Sequence, residues 1–230
     1  MLPETMTVNS AGRRFARLRG RVGLLFVALL SVIAGMTDAI GFMVTGDFVS
    51  FMSGNTTRLA VSIDQSNAAL ALHIGMLIAA FVGGNALGVI AARFSRRRSW
   101  PLLLAIGVLL CVSGASGGGA APFLLAVISM GMINAVVEEV NGLPIGLTYV
   151  TGALSRFGRG LGRWCLGERR NGWRVQLIPW AGMLTGAIIG GLLAQSFGIK
   201  AMIVSGLFTL SLAAMSAAIP RSWQLRFMPR

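Results

Sequence analysis

Long apolar runs broken by short polar knots set the pattern of this chain. Apolar segments fall at about 22–45, 48–63, 69–92, 101–115, 122–140, 143–158, 177–195 and 199–219, and the second and sixth are the short, polar ones. The second, "FVSFMSGNTTRLAVSI", carries serines, an asparagine, two threonines and Arg58 within a setting that is otherwise oily. A helix needs about 20 apolar residues to cross a bilayer core, and several runs here reach that length. They are unbroken rather than alternating, which excludes an outer-membrane barrel and predicts a helical multi-span bundle.

Composition agrees with that pattern. Of 230 residues, 55% are hydrophobic and 12% charged, and the mean hydropathy is +0.75, far above that of a soluble domain. The net charge of +13 would suit a nucleic-acid binder if the arginines were spread over a surface. Instead they flank the apolar runs, as the positive-inside rule requires of a membrane protein, and no nucleic-acid partner is expected. Cys111 and Cys165 have no ligand-like spacing, so neither a disulfide framework nor a metal site is implied. The run from Val22 to about Val44 is too long for a signal-peptide core and reads as a first span.

The two halves of the chain resemble each other. "GMTDA" at 35–39 answers to "GMINA" at 131–135, an offset of 96 that also aligns Gly46 with Gly142. After a two-residue insertion the offset becomes 98, and "SGNTTR" at 53–58 faces "TGALSR" at 151–156, matching Gly54 with Gly152 and Arg58 with Arg156. The same offset sets Gly84 and Gly88 against Gly182 and Gly186. Ordered matches at nearly one offset mark an internal duplication.

Arginine positions then decide the topology. Arg13, Arg14, Arg17, Arg19 and Arg21 precede the first run, while Arg93, Arg96, Arg97 and Arg98 follow the third. Arg159, Arg163, Arg169, Arg170 and Arg174 form another group, and Arg221, Arg226 and Arg230 close the chain. If segment 48–63 crossed the membrane, the first two groups would face opposite sides; if it dips in and returns, every group is cytoplasmic and only Lys200 is outside. Each half then has three crossings, so the halves are oppositely oriented. The expected fold is an all-α integral membrane protein with six transmembrane helices and two re-entrant strand/half-helix segments, an inverted 3+3 repeat. Its parts are a basic cytoplasmic tail at 1–21, a first repeat at 22–119 with re-entrant segment 47–64, a second repeat at 120–219 with re-entrant segment 143–160, and a cytoplasmic tail at 220–230.

Two half-helices that begin near the midplane aim free N–H groups and positive dipole ends at a shared centre, which suits an anion or polar solute. On this reading Arg58 and Arg156 supply charge, Gly54 and Gly152 allow close backbone approach, and Asn55, Thr56, Thr57, Thr151 and Ser155 offer hydrogen bonds. A charge at the membrane centre costs about 2.5–3.5 kcal/mol on insertion scales, so these arginines need partners. Segment 22–45 offers one, since Ser31, Gly35, Asp38 and Phe42 share a helix face, answered by Gly131, Asn134 and Glu138 in the second copy. Asp38 faces Asn134 across the repeat, an electrical asymmetry that suits proton coupling in one half. Asp38 with Arg58 and Glu138 with Arg156 also read as static ion pairs that hold the segments in place. Asp47 and Glu139 read as lying near segment ends, and His73, the only histidine, as a structural residue near the outer end of segment 69–92. Asn85, beside Gly84 and Gly88, is expected to bond a neighbouring helix, and the G-x-x-x-G spacings to allow close helix contact within the bundle, with a dimer face as the alternative.

The runs "AGMTDAIGFMVTGDFVSFMSGNTTRLAVSI", "GLTYVTGALSRFGRGL" and "WAGMLTGAIIGG" resemble the YoaK-like family of bacterial inner-membrane proteins, a family defined as a domain of unknown function. "SFMSGNTTRL" is the most specific part. The resemblance implies a small bacterial inner-membrane protein and carries no substrate or activity with it. No Ser/His/Asp arrangement, metal-ligand spacing or phosphate loop supports an enzyme, and no cofactor is expected. The expected function is transport of a small anion or polar metabolite across the bilayer that surrounds the protein. A passive channel on the same architecture and a non-transport scaffold are the alternatives, and a homo-oligomer stays open.

Overall fold

The computed structural model describes residues 10–137, 139–140, 143–144, 150–168 and 172–224. Helices dominate: α1 (Ser10–Thr45), α2 (Met52–Asp64), α3 (Ala68–Phe94), α4 (Ser99–Ala115), α5 (Ala120–Ile133), α6 (Val150–Cys165), α7 (Leu177–Phe197), α8 (Ala201–Ala217) and the short α9 (Arg221–Gln224). The strands β1 (Glu139–Val140) and β2 (Leu143–Pro144) form a small antiparallel pair between α5 and α6. Three stretches are long and apolar enough to cross a membrane, Gly20–Thr45, Ala68–Phe94 and Trp173–Ala217; the last contains α7 and α8 and the 3₁₀ turn Gly198–Lys200 between them. The helices α4 and α5 are apolar but shorter.

Several boundaries differ from the sequence reading. α1 starts at Ser10, so the arginines of the supposed tail at 1–21 stand on the same continuous helix as the first span. α2 begins at Met52, so within the expected strand/half-helix segment 47–64 only residues 47–51 precede the helix, and none of them is a strand. α5 stops at Ile133, and Asn134 is its C-cap, whereas α1 carries seven residues beyond Asp38. Gly131 and Asn134 therefore do not continue on a helix face toward residue 138.

Apolar and small polar positions are sorted for an oily solvent. Large side chains such as Leu72, Val82, Phe94 and Leu192 lie on the outside, while Ser31, Ser113, Ser129, Ser205, Thr209 and Ser216 are buried. Three of these hydroxyls bond back within their own helices, Ser129 to the Leu125 carbonyl at 2.8 Å, Thr209 to the Ser205 carbonyl at 2.7 Å and Ser216 to the Ala213 carbonyl at 2.9 Å, while those of Ser31, Ser113 and Ser205 meet no partner among the described residues. In lipid the hydrophobic effect does not draw helices together, so close packing through small residues has to.

Glycines supply that packing. α1 lies along α7 and α3 along α5, while α4 is set against α8 and α5. A Cβ on Gly35 would collide with the Met183 carbonyl of α7, and one on Gly131 with the Phe81 carbonyl of α3. Gly186 and Gly190 of α7 press in the same way on the Val32 and Met36 carbonyls of α1. Gly84 and Gly88 of α3 press on the Ile128 and Met132 carbonyls of α5. The faces proposed as an alternative dimer contact are thus filled within the chain.

These contacts reset the register of the duplication. With Gly35 held equivalent to Gly131 by the shared "GM" motif, Gly84 corresponds to Gly186 and Gly88 to Gly190, an offset of 102 rather than 98. Asn85 then answers to Ala187 and not to Met183. In α4 and α8 the offset is 99: Gly107 sits against Gly206 and Leu210, and Gly206 against Gly107 and Cys111.

Candidate functional site

The chain turns back on itself after α1. Gly46, with φ +76°, ends the helix in a left-handed conformation that suits glycine. Asp38 then accepts hydrogen bonds from the backbone N–H groups of Val49 and Ser50, both at 2.8 Å, through one carboxylate oxygen. Since a helix rises about 1.5 Å per residue, Asp38 lies roughly 10 Å inside the end of α1, and residues 46–51 run back along α1 to that depth. α2 starts there. At 13 residues it spans roughly 20 Å, short of a bilayer core of about 30 Å. A tight turn at Ser66, which has φ +56°, and an N-cap by Asn67, whose side chain accepts from the Leu70 N–H at 3.1 Å, then launch α3.

Arg58 pairs with Asp47 and not with Asp38. Its Nη1 donates to Asp47 Oδ1 at 2.6 Å, and His73 Nε2 lies 2.7 Å from Asp47 Oδ2. The Asp38–Arg58 pair expected from the sequence is replaced by Asp47–Arg58, because Asp38 is spent on the loop backbone. Asp47 is buried, with its side chain 7% exposed, while Arg58 and His73 each keep about a third of their side-chain surface open (34% and 32%). A carboxylate can only accept, so His73 Nε2 carries the proton that points at Asp47. Asp47 thus joins the loop, α2 and α3 at one point. Sequence reasoning placed both Asp47 and His73 outside the site; the usable signal was that an ionisable residue in an apolar segment needs a partner.

Other expected contributors from α2 are mostly occupied. Gly54 does not open the backbone to a ligand, because the rings of Phe51 and Phe48 cover its face. These rings meet edge to face at 5.1 Å, and Phe42 stacks on Phe48 at 4.6 Å. Asn55 is fully buried and donates to the Phe48 carbonyl at 2.8 Å, while its Oδ1 has no partner among the described residues. The Thr56 and Thr57 hydroxyls donate to the Met52 and Ser53 carbonyls one turn back, at 2.8 and 3.2 Å, and both residues are exposed.

In the second half, Arg156 Nε donates to Gln176 Oε1 at 2.8 Å, and Gln176 is buried in the 3₁₀ turn Trp173–Gln176 that precedes α7. Among the described residues no ion pair to Arg156 is present. Gly152 has an open face with only the Arg156 guanidinium near it, Thr151 is exposed, and Ser155 accepts from Arg159 at 2.8 Å. Asn134 donates to Asn85 across α5 and α3 at 3.2 Å, the helix-to-helix bond expected for Asn85. Glu138 lies outside the described residues. α2 packs on α3, whereas α6 packs on α7 and the turn before it, and the two share no substantial contact. The two sets of expected residues are thus carried on separate helix pairs, α2 with α3 and α6 with α7.

An apolar exterior, hydroxyls turned inward and spans of membrane-crossing length define an integral membrane protein. Residues 26–215 match the family described as "Protein of unknown function (DUF1275)". The chain is also 50% identical over 224 residues to the UPF0700 transmembrane protein RA0705 of Rhizobium meliloti (strain 1021), covering 97% of this chain and 99% of that one. The chain belongs to this family of transmembrane proteins, in accord with the resemblance carried by "SFMSGNTTRL". No solved structure matches it.

Proposed function

We propose that the protein is a small-solute transporter of the bacterial inner membrane, with six crossings in an inverted 3+3 repeat and both termini cytoplasmic. Its substrate is an anion or polar metabolite held between the N-terminal ends of α2 and α6. The observation that carries this reading is the pair of short helices with an arginine four residues after a matched glycine, Gly54 with Arg58 and Gly152 with Arg156. The shortness of α2 and the return of residues 46–51 to the depth of Asp38 support a segment that enters and leaves by one face. Reciprocal packing of α1 on α7 and α3 on α5 supports a two-fold relation between the halves. Of the two arginines, Arg156 is the better anion holder, since its described partner is a neutral amide.

One observation favours a second reading. The Arg58–Asp47 bond is a partly buried ion pair, and such pairs can simply fix a segment in place, as a non-transport scaffold would require. Reconstitution separates the two. Proteoliposomes would be tested for flux of chloride, nitrate, formate and phosphate, with Arg156→Gln as the variant. Transport predicts flux of at least one of these, reduced more than tenfold in a variant that still folds. Absence of flux for all four favours the scaffold, whereas flux unchanged in Arg156→Gln would keep transport and remove Arg156 from the solute site.

A further inference from the structure

Asp47 and His73 lie outside any role that a fixed anion site needs, and with Arg58 their geometry has a definite charge count. We infer that they form a proton-linked binding site for one monovalent anion, in which protonation of His73 releases Arg58 from Asp47 to the anion. The inference rests on the transporter reading for the presence of a solute at α2.

With His73 neutral, the carboxylate of Asp47 balances the guanidinium of Arg58, and the cluster has no net charge to offer an anion. A proton from water enters at Nδ1, the ring nitrogen away from Asp47, while Nε2–H keeps its bond to Oδ2. The imidazolium then balances Asp47, and Arg58 becomes a cation without a counter-charge. One monovalent anion restores neutrality, so one proton is bound with each anion.

Geometry permits the exchange. Arg58 uses Nη1 on Asp47, and its other N–H donors meet no partner among the described residues. About a third of both the Arg58 and His73 side chains is open, while the shared acid between them is hidden. A guanidinium facing lipid would cost free energy, so its open surface calls for water or a polar ligand. Few other charges intervene. Asp64 is exposed at the far end of α2, Asp38 on α1 is held by the loop backbone, and α4 and α5, which pack on α3, contain no Asp, Glu, Lys, Arg or His.

His73 is the only histidine, so its ring nitrogen NMR signals can be read without assignment. The full-length protein in nanodiscs would be held at a fixed pH near neutrality and given chloride, nitrate or formate, with gluconate at equal ionic strength as reference. At least one of the three should raise the protonated fraction of His73. The apparent dissociation constant of that anion should fall as pH falls, by up to about tenfold per unit, the limit that one-proton linkage sets. Arg58→Gln should abolish the response, Arg58→Lys should retain it in weaker form, and Asp64→Asn should leave it intact. A response that survives Arg58→Gln overturns the inference, and so does a His73 signal indifferent to all three anions. Flux measured in parallel keeps the two readings apart: flux without a His73 response removes the proton linkage alone, and a response without flux retains the site while removing transport.

Discussion

In α2, Arg58 lies 2.6 Å from the buried carboxylate of Asp47, whereas in α6 its counterpart Arg156 donates to the neutral Gln176 at 2.8 Å. Both arginines follow a matched glycine by four residues, and both are anchored to the start of the next long helix, through His73 in one half and directly at Gln176 in the other. The difference lies in what surrounds the shared motif. Around α2 the glycine is covered by phenylalanine rings and the arginine is neutralised; around α6 the glycine is open and the arginine keeps its charge among the described groups. The two matched segments thus share a short helix and differ in charge. The proposed transport cycle would use that difference, whereas a purely structural repeat has no need of it.

The shared part of the comparison can be broken most severely. Leucine at Gly84 or at Gly186 would drive a side chain into backbone carbonyls of the facing helix, an overpacking cost of about 3 kcal/mol or more. Both variants should lose the monodisperse peak of the wild type on size-exclusion chromatography in detergent. Equal losses would uphold the offset of 102 between α3 and α7; a mild Gly186→Leu with a severe Gly182→Leu would favour 98.

The divergent part has smaller effects. Asp47→Asn leaves Arg58 without its counter-charge and should cost about 3 kcal/mol, while Gln176→Leu removes a hydrogen bond to a charged group and should cost about 1.5–3 kcal/mol. Thermal unfolding of both variants in nanodiscs would rank them, and the reverse order would contradict the charge asymmetry. Asp38→Asn keeps an acceptor for Val49 and Ser50 but not its charge, for a loss of about 1 kcal/mol. A thermal scan that placed it beside Asp47→Asn would mean that Asp38 is an ion-pair partner after all. Thr56→Val and Ser155→Ala touch exposed hydroxyls and should each stay within about 0.5 kcal/mol.

Much of the fold was legible because glycine ladders and apolar runs leave strong periodic marks. "GMTDA" against "GMINA" aligned the two halves, at positions where the structure packs α1 on α7 and α5 on α3, and the arginine spacing in "SGNTTR" and "TGALSR" marked out α2 and α6. The register of α7 escaped by one helical turn for a physical reason. Gly182, Gly186 and Gly190 repeat every four residues, nearly the helical period, so a ladder matched one rung off looks the same in the sequence. The end of α5 also escaped, since nothing between Ile133 and Val137 breaks a helix by composition. The charged cluster was hidden for another reason: Asp47 and His73 are 26 residues apart, and only the path of a non-helical loop brings them together. Periodicity places residues on helices but says nothing about where such a loop goes.

The central claim is that α2 returns to the face from which it entered, and a single cysteine tests it most directly. Ser66, in the exposed turn between α2 and α3, would be replaced by cysteine after Cys111 and Cys165 are removed. Intact cells would then be treated with an impermeant maleimide. The account predicts labelling from outside the cell; protection there with labelling in inverted vesicles would mean that the segment crosses, and the inverted repeat and its central site would both be lost.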